Sequence, residues 1–276
     1  MDTALATLAT ARGERVGDAL ATLQARLQEQ RAPLSRGQLD TVLKGVAAKF
    51  MPRALGSPHV AQSCLATLRV LKDVPGSDVA AAWREVLPDT VASLTVESLR
   101  ESATALLRGL VVSLDRFDTV GEALIVYGLS SALSSQRAAA ASCIPSVLVP
   151  NSADSVDYRR LLDALASKLH DSSASVIEAC LKALGHLRNV DPSFDRQVKK
   201  LRYAHQQHIT EHAEAIRHYA ARSDTSVADN AGEGASQQVR PRFARAAAVR
   251  WVARADTPCV VWLRSEWVDP SGPQGH

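Results

Sequence analysis

Four stretches of this sequence can be laid over one another without gaps: residues 60–71, 99–110, 136–147 and 176–187. The fifth position of each is small (Cys64, Ala103, Ala140, Cys180). The ninth and twelfth are aliphatic: Leu68 and Leu71, Leu107 and Leu110, Ile144 and Val147, Leu184 and Leu187. The stretches start 39, 37 and 40 residues apart. A small residue with aliphatics four and seven positions later falls on one face of a helix. A helix-bearing unit of that length, repeated, marks a helical solenoid, in which each unit buries its apolar stripe only against its neighbours. Such folds hold partners far more often than they carry out chemistry.

The residues between these stretches supply the remaining helices. Val16, Leu20, Leu23 and Leu27 recur at helical spacing over 14–30, and Ala32-Pro33 ends that run. Ser35 has the chemistry of an N-cap for a helix over 36–50, closed by Pro52. Ser57 and Pro58 open the first aligned stretch. Ser77 is expected to cap a helix over 78–93, with Trp83 inside it and Pro88 ending or kinking it. Helices are further expected over 96–114 and 117–133, with Ser134-Ser135 breaking the latter from 136–148. Ser155 and Asp157 precede a leucine-rich helix, and Asp171-Ser172-Ser173 is the turn before 174–189. Asp191-Pro192 then restarts the chain into one long polar helix over 193–221.

Composition narrows the class. Only 4% of the residues are aromatic, which suits helices packed through small and aliphatic side chains better than a β-sandwich. A formal charge of +3 gives no concentrated basic field for nucleic acid. The four cysteines include no CxxC pair, and Cys64 and Cys180 fall on the small repeat position, as packed thiols in a reducing compartment would. The first residues lack the basic start and apolar run of a signal peptide, and no apolar stretch reaches the ~20 residues of a membrane span. The expectation is a soluble intracellular protein.

Residues 1–222 are therefore read as the solenoid. The polar stretch 223–238 has the composition of a flexible linker. Residues 239–276 are Arg-rich and hold Trp251, Trp262 and Trp267. They are expected to form a disordered tail, or an extension foreign to the native product. Their composition also fits a nucleic-acid or membrane-surface tail.

Chemical motifs are few. There is no GxSxG elbow, P-loop or dinucleotide fingerprint. His205, His208 and His212 share one helix face. His208 and His212 could bind a metal as an i,i+4 pair, but His-Ile-Thr-Glu-His is not the order of a zinc protease. Their polar neighbours favour a solvated face. Asp115, Asp118 and Glu122 sit near a helix start, where acids suit the helix dipole.

The order of Leu161-Leu162-Asp163-Ala164-Leu165, the Asp171-Ser172-Ser173 turn and a second helix led by Val176 resembles a HEAT repeat, as does, more loosely, the stretch from Gly128 to Arg137. A compact block of five or six such pairs over roughly 14–221 is similar to a TOG domain, the tubulin-binding module of the CLASP and ciliary crescerin families. The resemblance implies an all-α, HEAT-like antiparallel helix-pair solenoid shaped as a TOG-like paddle. It implies that tubulin or microtubules bind along the turns inside each pair, here 50–59, 93–98, 133–136 and 170–174. On those turns the matching residues are Met51, Arg53, Thr95, Gln136, Lys168 and His170, with Lys199 and Lys200 close to the same edge. The first turn departs from the family, since many TOG domains carry a tryptophan where this chain has Phe50-Met51-Pro52-Arg53.

The expected function is that of a non-catalytic module binding tubulin or microtubules, without metal or cofactor, in the cytoplasm and on the cytoskeleton, with cilia or flagella as a further place. The alternative is a general HEAT scaffold for another protein partner, in transport or ciliary assembly. An enzyme built on the histidine-rich helix is the third reading. Neither nucleic acid nor membrane is an expected partner.

Overall fold

In a computed structural model, the structure describes residues 1–50, 58–114, 118–148 and 159–225. All of their regular structure is helical. The chain runs through α1 (Asp2–Thr10), α2 (Arg15–Glu29), α3 (Arg36–Ala47), α4 (Pro58–Leu71), α5 (Ala80–Trp83), α6 (Leu87–Ser93) and α7 (Glu97–Ser113). It continues through α8 (Asp118–Ala123) with a π-helical extension (Leu124–Leu129), α9 (Ser134–Val147), and α10 (Arg159–Ser167) with a 3-10 turn (Lys168–His170). α11 (Ala174–Val190), α12 (Phe194–Val198), α13 (Tyr203–Glu211) and α14 (Ala213–Thr225) complete it.

These elements form six antiparallel pairs in two layers. The second helices α2, α4, α7, α9, α11 and α14 pack in that order, each against the next. The first helices α1, α3, α5 with α6, α8 with its extension, α10, and α12 with α13 make the other layer. One continuous core runs between the layers from Leu8 to Ile216. The repeat position is as expected: Cys64, Ala103, Ala140 and Cys180 are all fully covered, as are Leu68, Leu107, Ile144 and Leu184. Burial pushes the Cys64 and Cys180 thiols up to about 12, so both remain protonated packing groups.

Polar bonds between neighbouring pairs reproduce the repeat length. Gln24 Nε2 donates to Thr67 Oγ1 at 3.0 Å, 43 residues away. Gln62 Nε2 donates to Ser102 Oγ at 2.9 Å, 40 residues away. Lys49 Nζ reaches the Ala11 carbonyl at 3.0 Å, 38 residues away. The Gln24 and Lys49 bonds satisfy groups that the close approach of the helices partly removes from water, while the Gln62 bond lies at the surface.

Several local expectations need correction. α1 precedes the first expected helix. The helix expected over 78–93 is two short ones, because the buried Trp83 donates its indole N–H to the Ser77 carbonyl at 2.7 Å and turns the chain there. Ser77 consequently does not cap; its hydroxyl donates to the Lys72 carbonyl at 2.8 Å. Pro88 lies at the start of α6, where its missing N–H costs nothing, rather than at an end. Ser134 and Ser135 begin α9 instead of breaking the chain before it. The long helix over 193–221 is three helices, bent at 199–202 and at His212. By contrast, Ser35 caps α3 with a full capping box, its Oγ accepting from the Gln38 N–H and the Gln38 side-chain Oε1 accepting from the Ser35 N–H. α14 runs three residues into the stretch read as linker. The rest of that stretch, the tail, and Ser57, Ser155 and Asp157 lie outside the described residues.

Two substitutions test this packing. Leu184→Ala removes a fully buried side chain and should cost about 2–5 kcal/mol in denaturant melts, the range for emptied core sites. At Gly185 a Cβ would lie 2.8 Å from the Ala220 nitrogen and 3.0 Å from the Tyr219 carbonyl carbon. Gly185→Ala should therefore destabilise by about 1–3 kcal/mol, the cost of overpacking, although alanine is the better helix former by about 1 kcal/mol. A stabilised Gly185→Ala protein would show that α11 and α14 do not approach so closely.

Candidate binding edge

The antiparallel pairing puts every turn inside a pair on the same side of the solenoid. Among the described residues these turns are 11–14, 94–96, 130–133, 171–173 and the bend at His212. Their backbone groups cannot all find helical partners, so nearby side chains must satisfy them. That demand decides which side chains remain available to a partner.

At 94–96, the half-buried Thr95 donates its hydroxyl to the Ala92 carbonyl at 2.8 Å. At 130–133, Gln136 Nε2 donates to the Tyr127 carbonyl at 2.9 Å, and its Oε1 accepts from the Ser131 hydroxyl at 3.1 Å. Both residues are engaged in closing their turns. Arg137, one position on, forms a two-pronged pair with Asp171 of the next turn, Nε to Oδ2 at 2.7 Å and Nη2 to Oδ1 at 2.8 Å. Its Nη1 donates to the Ser131 and Ala132 carbonyls, and Asp171 Oδ1 also accepts from the Ser173 N–H. The Arg137 bond, helped by the Ser173 N–H, holds the Asp171 carboxyl below the usual carboxylate range.

What these turns leave exposed is partly apolar. Leu133 is 62% exposed at the tip of its turn, and Tyr127 is 43% exposed on the π-helical extension behind it. In that extension the Ser130 N–H reaches back to the Ile125 carbonyl at 2.9 Å. The sequence singled out neither residue. A large apolar side chain in a turn was the available signal for Leu133; the π-turn that exposes Tyr127 has none.

At the last two turns, Lys168 is half-buried and His170 exposed. The His170 ring lies against that of His208, tilted by 38° with centroids 3.9 Å apart, and edge-on to His212 at 6.3 Å. His170 Nε2 is 3.3 Å from Glu211 Oε2. His208 Nδ1 is 3.2 Å from the Ala166 carbonyl, and His205 Nδ1 is 2.6 Å from Asp163 Oδ1. This overturns the reading of that histidine face as simply solvated. His205 and His208 dock on the end of α10, while Glu211 remains exposed. Burial, then the neighbouring His170, pushes the His212 imidazole below its ordinary value, against the pull of Glu211. Among the described residues no group of three or more His, Cys, Asp or Glu is arranged to hold a metal ion.

Lys199 and Lys200 are exposed, but at the bend between α12 and α13. The nine residues of α13 separate them from the last turn, roughly 13 Å at the helical rise. Met51 and Arg53 lie outside the described residues.

A groove of about 810 Å³ runs along the layer of second helices, between α4, α7 and α9. Its charges are mixed: Lys72 is paired with Asp73, Arg100 donates to the Leu94 carbonyl, and Glu97 and Glu101 line it too. Val112, 64% exposed, is its apolar element. No described helix is long and apolar enough to cross a membrane.

No protein-family model matches the sequence, and comparison with curated proteins returned no match. Solved structures do match the fold. The MAST/Orbit N-terminal domain is similar with a TM-score of 0.62 at 16% identity, over 83% of this chain and 98% of that one. Drosophila melanogaster Mini spindles TOG3 is similar with a TM-score of 0.62 at 11% identity, over 87% of this chain and 98% of that one. The chain thus has the HEAT-repeat fold of a TOG domain.

Burial depresses both His212 and His186, the latter also bonded to the Leu148 backbone. The folded state therefore favours neutral rings, whereas unfolded imidazoles take up protons near about pH 6.5. The stability this confers is complete above that value and is lost as pH falls from it toward the folded midpoints. Thermal melts at constant ionic strength should show a falling Tm from pH 7.5 to 6.0; a flat profile would mean that neither ring is desolvated.

Proposed function

We propose that this chain is a non-catalytic module that binds the tubulin dimer or microtubules along its edge of intra-pair turns, placing it on the cytoskeleton. The observation that carries this reading is the edge itself. Successive turns offer an exposed leucine at Leu133, a cation at Lys168 and an imidazole at His170, in a fold similar to that of Mini spindles TOG3. Turns from pairs distant in sequence form one continuous surface, so a large, flat protein partner can touch several at once. Met51 and Arg53, which precede α4 in the sequence, belong to the proposed contact on the strength of the TOG resemblance. Thr95 and Gln136 support the edge by closing their turns, and Lys199 and Lys200 would act at longer range through charge.

A scaffold for a different protein is the second reading, and the groove between α4, α7 and α9 favours it, since an extended segment would fit along that face. The two readings use different surfaces. Size-exclusion with tubulin and co-sedimentation with stabilised microtubules address the first directly. Leu133→Asp combined with Lys168→Glu should weaken tubulin binding about tenfold or more, consistent with losing one apolar anchor and one screened charge pair, and should leave the helical signal and Tm near wild type. Arg108→Glu in the groove should not change it. Absence of tubulin binding by the wild-type chain at low salt would leave the scaffold reading in its place.

A further inference from the structure

Resting on the tubulin reading, we propose that His170, His208 and His212 make the last two turns of the edge take up protons when an acidic protein surface docks there, so that binding tightens as pH falls. The imidazoles meet from two sides: His170 from the 3-10 turn after α10, His208 from α13, and His212 from the bend into α14. His205 lies next along α13, its ring 5.9 Å from that of His208.

The charged groups around them do not neutralise a fully protonated cluster. Glu211 faces His170, and Asp163 is engaged by His205. Lys168 adds positive charge from the same 3-10 turn. From the turn to α11 comes Asp171, already paired with Arg137. α11 itself contributes Glu178 and Lys182, which pair with each other, and the first turn of α14 contributes Glu214. Within the cluster, burial and then the neighbouring His170 hold the His212 imidazole below its ordinary value.

An acidic surface laid on the edge reverses that balance. Carboxylates of the partner stabilise the imidazolium forms, and the complex holds more protons than the separate molecules. Reciprocity then requires that protons favour the complex. Each proton taken up tightens binding by at most about tenfold per pH unit within the titrating range.

The test is calorimetric titration of the full chain with tubulin dimer at pH 7.5 and 6.5, at fixed ionic strength and in buffers of different ionisation heat. The wild-type chain should bind several-fold more tightly at pH 6.5, with net proton uptake. The His170→Gln, His208→Gln protein should lose most of that uptake, and the single His170→Gln variant about half. Equal uptake in wild type and variants overturns the proposal, because the protons then go elsewhere. NMR titration of the imidazoles without tubulin supplies a second reading: the His212 midpoint should rise in His170→Gln, and an unchanged midpoint also overturns the proposal. If no tubulin binds at either pH, the tubulin reading fails and this inference with it; binding without linked protons sinks only the inference.

Discussion

The approach of neighbouring second helices is the constraint from which the rest of this structure follows. α11 lies so close to α14 that Gly185 faces the Ala220 and Tyr219 backbone. Between the layers, a Cβ at Gly128 of the π-helical extension would run into that of Ala140 in α9. Helices at that distance leave no room for water, and each second helix has its other side filled by the next pair. A single pair would expose half its apolar stripe, so the pairs are stable only as a stack. The stack in turn fixes the turns along one side, which makes an edge available for binding without any dedicated scaffold.

Turning the chain six times creates polar groups that must be satisfied, and this competes with binding for the same residues. The Arg137–Asp171 pair shows how the competition is settled. Its side chains are 12% and 6% exposed, and its hydrogen bonds join two adjacent turns. Only a thin layer of protein separates it from solvent, so it lies between an exposed pair and a buried one in strength. Its main effect is to hold the spacing between two turns that a partner would touch together. Gln136 and Thr95 are spent in the same way, within their own turns. Leu133, with no polar atom in its side chain, is left exposed at its turn, while the half-buried Lys168 places its charge near Asp171.

The architecture was legible in the sequence because solenoid packing repeats the same demand every unit. A small residue where two helices cross and aliphatics one and two turns further on recur at Cys64, Ala103, Ala140 and Cys180, and helix starts expected near 58, 96, 136 and 174 are found at Pro58, Glu97, Ser134 and Ala174. What periodicity cannot register is a bend that keeps the same face inward. α5 and α6 share a buried side through Trp83, Leu87 and Val91, so their apolar pattern runs on across the break. The edge residues were legible by position but not by role. Whether Gln136 faces a partner or the Tyr127 carbonyl depends on a π-helical turn in the preceding helix, for which the sequence carries no separate mark.

The same logic explains why the contacts of the histidines, as opposed to their shared helix face, escaped a reading from sequence. His205 meets Asp163 across 42 residues, a contact made by the stacking of two pairs and not by any local spacing. α11 buries eight residues, whereas α12 buries Phe194 and α13 buries Ile209. The first-layer half of the sixth pair thus buries only Phe194, Leu201 and Ile209, and imidazoles with their polar partners add to its attachment. Apolar contacts hold whatever the pH, whereas imidazole contacts change strength as the rings charge. A solenoid transmits such a change only to its neighbour, so the core from α1 to α11 can stay fixed while α13 adjusts against α10. The turn edge thus rests on dense apolar burial as far as α11 and on imidazole contacts at its last two turns.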